Sequence, residues 1–228
     1  MSSTDLKLRG IIFDMDGVLC DSEPFICEAA CKMFAQTHGT AVQPDDFLPF
    51  VGTGEDRYIG GVAAKHGVTL AMPADKERTY EIYLDIIRGR LEPLPGAKSF
   101  IEDCRRRGLK LAVATSADQV KLQGNLQQIG LPVDRFDAVI TGSEVERKKP
   151  SPDIFQLAAK RLGLTNAECL VVEDATNGVQ AATAAGSLAL GLTTSFPAEI
   201  LRQAGAHWTA PDLAHVPIDL LSRLPVGP

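Results

Sequence analysis

The run Gly10-Ile11-Ile12-Phe13-Asp14-Met15-Asp16-Gly17-Val18-Leu19 carries the strongest structural signal in this chain. Its first four residues are apolar without interruption, which predicts a short strand buried on both faces of a sheet. Gly17 ends the strand because glycine tolerates backbone angles that other residues avoid. Asp14 and Asp16 therefore lie at the carboxyl end of a central strand, where open α/β sheets bind ligands. Alone, such a pair can also be an acidic turn that closes a strand.

Two later stretches also bring polar side chains to places that suit an anion. Residues 110–116 form an apolar strand pattern that ends in the hydroxyls of Thr115 and Ser116. Hydroxyls and free backbone N–H groups before a helix suit an anion, although the same pair can simply cap that helix. Residues 148–155 place Lys149 before a proline-rich turn, where its ammonium can face a phosphate or remain in a solvated loop.

A fourth stretch, residues 169–178, is another apolar strand pattern that ends in paired carboxylates, Glu173 and Asp174. Hard oxygen ligands of this kind suit Mg²⁺, which usually keeps several waters and adds a substrate phosphate. Because the strands alternate with helices, they are predicted to pair in parallel. The acidic groups at their carboxyl ends are therefore predicted to converge in one pocket.

The alternation of strands and helices is interrupted once. Strands are predicted near residues 8–14, 109–115, 137–141, 169–173 and 188–192, with a short last strand around Trp208. Helices are predicted between them, near residues 97–107, 118–129, 152–163 and 176–185. The interruption contains only helical patterns, near residues 23–38, 55–66 and 74–89. We therefore predict a core domain of residues 1–21 and 93–228 and an inserted cap domain of residues 22–92.

Taken in order, the motifs DMDGVL, ATS, KKPSPDIF and VVEDATNGVQAA resemble those of the haloacid dehalogenase (HAD) superfamily of phosphatases and phosphomutases. The resemblance covers nearly the whole chain. It is similar to the group with a small helical cap after the first motif, which includes β-phosphoglucomutase and many sugar-phosphate phosphatases. Residues 50–55 and 60–62 also resemble the HAD-like domain of a plant thylakoid protein. The resemblance implies an α/β fold, with a Rossmann-like parallel sheet core and an inserted small α-helical cap.

The resemblance also implies a role for each residue that matches a core motif. Asp14 would be the nucleophile that attacks phosphorus and forms an aspartyl-phosphate. Asp16 would protonate the leaving oxygen as a general acid and then act as a base toward water. Thr115 would bind the transferring phosphoryl group with help from the Ser116 backbone, and Lys149 would supply a positive charge.

Mg²⁺ is the cofactor that the resemblance implies. Its expected ligands are Asp14, the backbone carbonyl of Asp16, Glu173 and Asp174. True haloacid dehalogenases lack the second aspartate of the first motif and need no metal. The presence of Asp16 and of the Glu173-Asp174 pair therefore favours phosphoryl chemistry.

The cap loop of residues 52–57 is expected to set specificity, with Gly52, Glu55 and Arg57 as substrate-binding residues. Glu55 and Asp56 would be unfavourable beside a second phosphate unless Arg57 offsets them, so a hydroxyl-rich substrate with one phosphate is favoured. The alternative interpretation is that both carboxylates only complement the dipole at the start of a cap helix.

Composition restricts the classes of function. The 228 residues are 45% hydrophobic and 23% charged, which is ordinary for a soluble globular protein. A net charge of −6 argues against a nucleic-acid-binding surface. The first residues lack the apolar core of a signal peptide, and no apolar run reaches the length of a membrane span. The five cysteines are scattered and suit a reducing compartment, so a cytoplasmic location is expected.

These inferences predict a Mg²⁺-dependent phosphatase that hydrolyses a small, sugar-phosphate-like metabolite through an aspartyl-phosphate. One alternative is a β-phosphoglucomutase-like phosphomutase. That family carries a histidine, a lysine and an arginine in its cap, where this chain has Ile26, Val51 and Glu55. The other alternative is a regulatory domain that kept the fold without turnover. The complete set of motif carboxylates, with Thr115 and Lys149, favours an enzyme.

Overall fold

Six parallel strands form a single sheet in the computed structural model of the chain, which describes residues 8–52 and 54–225. The strands are β1 (Gly10–Phe13), β2 (Lys110–Ala114), β3 (Ala138–Ile140), β4 (Cys169–Glu173), β5 (Leu188–Leu192) and β6 (Trp208–Ala210). Their order across the sheet is β3-β2-β1-β4-β5-β6, so β1 lies at its centre between β2 and β4. The prediction of a Rossmann-like parallel sheet is confirmed.

The register of the sheet aligns the carboxyl ends of its three central strands. Phe13 of β1 lies opposite Val113 of β2 and Val172 of β4. Asp14 stays attached to the sheet because its backbone N–H donates to the Val172 carbonyl at 2.9 Å. The polar residues that follow β1, β2 and β4 therefore emerge at the same edge of the sheet.

Helices bury both faces of β1, as its apolar sequence predicts. Ile11 and Phe13 belong to one buried apolar cluster, and Ile12 belongs to another on the opposite face. Fully burying one side chain of this size contributes about 1.5–3 kcal/mol to stability. The helices of the core are α4 (Ala97–Arg106), α5 (Gln119–Gln128), α6 (Asp153–Leu162), α7 (Thr176–Ala185), α8 (Ala198–Gln203) and α9 (Ile218–Leu221).

Between β1 and α4, the described residues form helices, turns and isolated bridges, and they contribute no strand to the sheet. This segment contains α1 (Glu23–His38), α2 (Glu55–His66) and α3 (Ala74–Ile87), with short 3₁₀ turns at Pro44–Asp46 and Leu48–Phe50. Helices α1 and α3 pack against each other, and α3 also contacts α5 of the core. We call this helical insertion the cap. Its division from the core at residues 22 and 92 stays a prediction.

Two connections join the cap to the core, and they lie side by side. Cys20 and Pro93 form an isolated antiparallel bridge. The Leu94 N–H donates to the Leu19 carbonyl at 2.9 Å. The chain therefore leaves and re-enters the core beside the carboxyl end of β1, which places the cap over the polar strand ends.

Hydrogen bonds also hold the cap against α5. The Tyr83 hydroxyl donates to the Asn125 side-chain carbonyl, and the Tyr80 hydroxyl donates to Asp118 Oδ2 at 3.0 Å. Both tyrosines are buried on α3. These contacts fix which face of α5 points toward the cap.

None of the helices in the described part of the chain has the length and apolar character needed to cross a bilayer. The expectations of a cytoplasmic location and of no nucleic-acid partner stay predictions.

Candidate active site

A cavity of about 900 Å³ lies at the carboxyl edge of the sheet, between the strand ends and the cap. Core and cap residues both line it. The lining includes every predicted site residue except Arg57, namely Asp14, Asp16, Gly52, Glu55, Thr115, Ser116, Lys149, Glu173 and Asp174. Residues that are up to 160 positions apart in the sequence thus converge on one space because the parallel strands end together.

Three carboxylates form the acidic centre of this cavity. Asp14, Glu173 and Asp174 are buried, and each offers one carboxylate oxygen within 4.8 Å of the others. Lys149 reaches into the group, with its Nζ 2.5 Å from Asp14 Oδ1 and 2.6 Å from Glu173 Oε1. Its side chain is only 6% exposed, so its ammonium is held among these carboxylates and away from solvent.

The acidic centre carries more negative charge than Lys149 neutralises. Burial, together with repulsion from Glu173, raises the pKa of Asp14 to about 7, although Lys149 opposes the rise. Burial and repulsion from Glu173 and Asp14 likewise raise the pKa of Asp174 to about 8. Burial would lower the pKa of Lys149, but Asp14 and Glu173 raise it well above its usual range. A further cation at this point would relieve the repulsion.

Backbone N–H groups between β4 and α7 hold the carboxylate of Glu173 in place. Its Oε2 accepts hydrogen bonds from the backbone N–H groups of Asp174 at 3.0 Å and Ala175 at 3.1 Å. Gly178 leaves room for the carboxylate, because a Cβ there would lie 1.8 Å from Glu173 Oε1. The backbone N–H groups just before α7 therefore fix one oxygen of Glu173 and leave the other at the acidic centre.

Gly17 likewise leaves room for the carboxylate of Asp174. The backbone of Gly17 has φ +73°, and a Cβ would lie 1.9 Å from Asp174 Oδ2. Sequence reasoning expected Gly17 to end the strand but did not find its contact with Asp174. The loop after β5 completes the arrangement: Ser195 donates to Asp174 Oδ2, and Thr194 Oγ1 donates to the Gly17 carbonyl at 2.6 Å. No motif in the sequence pointed to these two hydroxyls.

Thr115 and Ser116 follow β2 at the floor of the cavity. Thr115 is buried, and its Oγ1 accepts a hydrogen bond from the Ala117 N–H at 3.1 Å. This bond orients the hydroxyl, whose own proton remains available for a ligand. The position agrees with a phosphoryl-binding role, which stays a prediction for both residues.

Asp16 stands apart from the acidic centre. Its carboxylate is outside the group formed by Asp14, Glu173 and Asp174, and it accepts hydrogen bonds from Ser22 and from Lys121 at 3.1 Å. The expected metal contact of Asp16 runs through its backbone carbonyl and stays a prediction. The side chain is thus held away from the acidic centre by neighbours of its own.

Lys121 is a further cavity residue that sequence reasoning missed. It lies on α5, its side chain is 3% exposed, and its Nζ faces carboxylates from both the core and the cap. The distances are 3.1 Å to Asp16 Oδ2, 3.2 Å to Glu23 Oε1 and 3.8 Å to Glu55 Oε1. Burial alone would lower the pKa of Lys121, but these carboxylates raise it well above its ordinary value. A lysine in the polar segment of residues 118–128 gives no sequence signal of burial.

The charged side chains of the cap loop lie in different surroundings. Glu55, the first residue of α2, is buried and lies beside Lys121, whereas Asp56 is exposed and pairs with Lys76 at 2.8 Å. Arg57 is exposed and is not among the cavity-lining residues. The cation beside Glu55 in the cavity is therefore Lys121. Substrate contact by Arg57 stays a prediction, and Thr53 of this loop lies outside the described residues.

We predict that Lys121→Met destabilises the fold by about 3 kcal/mol near neutral pH, because it leaves three largely buried carboxylates without their cation. Burial already raises the pKa values of Glu23 and Glu55 above the ordinary 4.5. Loss of Lys121 raises them further, so the folded state binds protons more tightly than the unfolded chain. The variant should therefore regain stability as the pH falls from neutral toward 4.5.

Urea unfolding across this pH range measures the effect, with Lys160→Met as the matched control. Lys160 is an exposed lysine of α6, and its replacement should change stability by less than about 0.5 kcal/mol. Equal stability curves for the two variants would contradict the assigned role of Lys121.

Comparison with known proteins agrees with the fold. A family model for haloacid dehalogenase-like hydrolases matches residues 8–186. The Arabidopsis thaliana protein Suppressor of Quenching 1, chloroplastic, is 43% identical over 93% of this chain, which spans only 20% of that longer protein. The likeness expected from the cap loop thus extends along nearly the whole chain.

Two further relatives cover most of their own length. The phosphorylated carbohydrates phosphatase of Thermotoga maritima is 31% identical over 78% of this chain and 82% of its own. The crystal structure of CbbY from Rhodobacter sphaeroides in complex with phosphate has a TM-score of 0.80 at 25% identity, covering 91% of this chain and 95% of that one. The family match, the acidic site and the phosphatase relatives lead to one conclusion: the chain belongs to the haloacid dehalogenase-like hydrolases and is a phosphoric monoester hydrolase.

Proposed function

We propose that this hydrolase is a Mg²⁺-dependent phosphatase that acts on a small, sugar-phosphate-like metabolite through an aspartyl-phosphate at Asp14. The observation that supports this most strongly is the placement of the Asp14 carboxylate. It lines the cavity, lies 2.5 Å from the ammonium of Lys149 and shares a buried acidic centre with Glu173 and Asp174. A carboxylate so placed can act as a nucleophile if enough positive charge surrounds it.

The residues present fit a divalent cation. Asp14, Glu173 and Asp174 offer hard oxygen ligands close together, and burial, with mutual repulsion that Lys149 only partly offsets, raises the pKa values of Asp14 and Asp174. Bound there, Mg²⁺ would keep the carboxylates ionised and neutralise charge on the phosphoryl oxygens. If cationic side chains neutralised all three carboxylates, the cluster would suit a metal poorly. Among the described residues, however, Lys149 is their one cationic partner, so negative charge remains for a metal.

In the first step, an Asp14 oxygen attacks phosphorus and the bond from phosphorus to the leaving oxygen breaks. Asp16, in its protonated form, gives its proton to that oxygen, so the product leaves as an alcohol. Lys149 and the Thr115 hydroxyl hold the phosphoryl oxygens during transfer. Asp14 is left as a mixed anhydride with the phosphoryl group.

In the second step, the Asp16 carboxylate takes a proton from water, whose oxygen attacks phosphorus and releases Asp14. Ser22 and Lys121 hold the two Asp16 oxygens, so the carboxylate can serve both steps without losing its position. The acidic centre and the acid–base residue are thus separate groups, as the two tasks require.

The cap favours hydrolysis over phosphomutase chemistry. Ile26, Val51 and Glu55 all line the cavity at the positions where the mutase family carries a histidine, a lysine and an arginine. Two apolar side chains and a carboxylate give a second phosphate of a bisphosphate no cationic partner. The name of the Thermotoga relative also supports a carbohydrate-like phosphomonoester as substrate.

Hydrolysis of p-nitrophenyl phosphate with Mg²⁺ tests the proposal, because this ester needs no cap recognition. We expect turnover that depends on Mg²⁺ and exceeds that of Asp14→Asn, followed by selectivity within a panel of phosphorylated metabolites. Absence of turnover in the metal-loaded wild-type protein would support the alternative of a regulatory domain without catalysis.

A further inference from the structure

One carboxylate oxygen of Glu55 has no hydrogen-bond partner among the described residues. The residue is 7% exposed and lines the cavity from the start of α2. Its Oε1 lies 3.8 Å from Lys121 Nζ, while its Oε2 is buried and has no hydrogen-bond partner in the described part of the chain. Buried polar atoms are nearly always hydrogen-bonded in native proteins, so an orphaned carboxylate oxygen at a ligand cavity points to a partner on the ligand.

Lys121 makes no hydrogen bond to Glu55, because its Nζ lies 3.8 Å from the Oε1 atom. Its ammonium has three protons and makes hydrogen bonds to Asp16 at 3.1 Å and Glu23 at 3.2 Å. Of its three carboxylate neighbours, Glu55 is the most distant, at 3.8 Å from Oε1. One lysine therefore serves three acidic side chains, and this end of the cavity keeps a negative charge when they are ionised.

Lys149, the other cationic side chain among the described lining residues, is also paired with carboxylates. Lys149 lies between Asp14 and Glu173, and no arginine is among the described lining residues. Asp21, which also lines the cavity, adds a further carboxyl group near Glu23. A second phosphate or a carboxylate on the leaving group would thus meet acidic side chains without a free cation to receive it.

We propose that Glu55 accepts a hydrogen bond from a hydroxyl or ammonium group on the leaving alcohol. The preferred substrates are then phosphomonoesters with one phosphate and a neutral or cationic leaving group that carries a donor. Esters with a carboxylate or a second phosphate on the leaving group are rejected. This inference rests on the proposed phosphatase function and adds the chemical class of its substrate.

Four esters of similar size test the inference: ethyl, hydroxyethyl, aminoethyl and carboxymethyl phosphate. In the wild-type protein with Mg²⁺, we expect kcat/KM for the hydroxyethyl and aminoethyl esters to exceed that for the ethyl ester by about tenfold. The carboxymethyl ester should be poorer than the aminoethyl ester by about a hundredfold. The aminoethyl and hydroxyethyl esters distinguish an ammonium from a hydroxyl as the preferred donor.

Glu55→Gln keeps the shape of the side chain and removes its charge. Relative to the rate on p-nitrophenyl phosphate in the same variant, it should reduce the preference for aminoethyl over carboxymethyl phosphate by at least about tenfold. Asp56→Asn is the matched control, because Asp56 is exposed and outside the cavity lining, and it should keep the wild-type order. Thermal melting of both variants verifies that they fold.

Comparable kcat/KM for carboxymethyl and aminoethyl phosphate in the wild-type protein would overturn the inference. So would a Glu55→Gln variant that keeps the wild-type order of esters. If the wild-type protein hydrolyses p-nitrophenyl phosphate but shows either result, only this inference fails. If no ester is hydrolysed in the presence of Mg²⁺, the proposed function fails and takes this inference with it.

Discussion

Replacing Asp14 by asparagine should lower turnover of p-nitrophenyl phosphate by roughly 10⁴-fold or more, because an amide cannot form the phosphoryl intermediate. The fold should persist. Burial raises the pKa of Asp14 from 3.8 to about 7, so in the metal-free folded protein ionisation of this group costs stability as the pH rises through that interval. A neutral asparagine avoids the cost. The metal-free variant should therefore be at least as stable as the wild-type protein above pH 7.

Steady-state kinetics and urea unfolding together check this prediction. Asp134→Asn is the matched control, since Asp134 is an exposed aspartate that does not line the cavity, and it should keep wild-type activity. A variant of Asp14 that folds normally and turns over at wild-type rates would remove the nucleophilic role of Asp14.

Removal of divalent metal should lower phosphatase activity by at least about a hundredfold, the scale expected when charge stabilisation of a transition state is lost. The reason is the close group of Asp14, Glu173 and Asp174, whose mutual repulsion Lys149 only partly offsets. Mg²⁺ should also raise the melting temperature by ligand linkage, with a gain of about 2.7 kcal/mol at one hundred times its Kd.

Titration with EDTA and then with excess Mg²⁺ measures both effects on one sample. Asp174→Asn should lose most of the metal-induced rise in melting temperature, whereas Asp134→Asn should keep it. Full activity in excess EDTA would exclude Glu173 and Asp174 as ligands of a required metal.

The core could be predicted from sequence because its signals are local. An uninterrupted apolar run such as residues 10–13 can only be satisfied by burial on both faces, and a glycine or polar pair marks where each strand ends. Parallel pairing then forces the polar ends to one edge, which is why Asp14, Thr115 and Glu173 could be placed together without coordinates.

The contacts that support the site could not be predicted in the same way. Lys121 is buried only because carboxylates on α1, α2 and the β1 loop converge on one point of α5, which no spacing within the sequence encodes. Ser195 reaches Asp174 through the loop after β5 for the same reason. An aspartate before a helix, like Asp118, is typical of an N-cap, but its carboxylate is hydrogen-bonded to Tyr80 of the cap instead.

Charge in the cap loop was the least predictable feature. Sequence analysis placed Glu55, Asp56 and Arg57 together in one loop, but Glu55 and Arg57 are only two positions apart on one helix and do not face each other. Glu55 points inward toward Lys121, while Asp56 pairs with Lys76 of α3. The orientation of α2 on the core, which tertiary packing determines, decides which of the loop charges reaches the cavity.

The stereochemical course at phosphorus tests the aspartyl-phosphate mechanism most directly. The substrate is p-nitrophenyl phosphorothioate made chiral at phosphorus with oxygen isotopes, hydrolysed by the Mg²⁺-loaded protein, and the configuration of the released thiophosphate is then determined. Transfer to Asp14 followed by transfer to water is two in-line displacements, so the account predicts net retention of configuration. Net inversion would show that water attacks the ester directly and would contradict a covalent intermediate at Asp14.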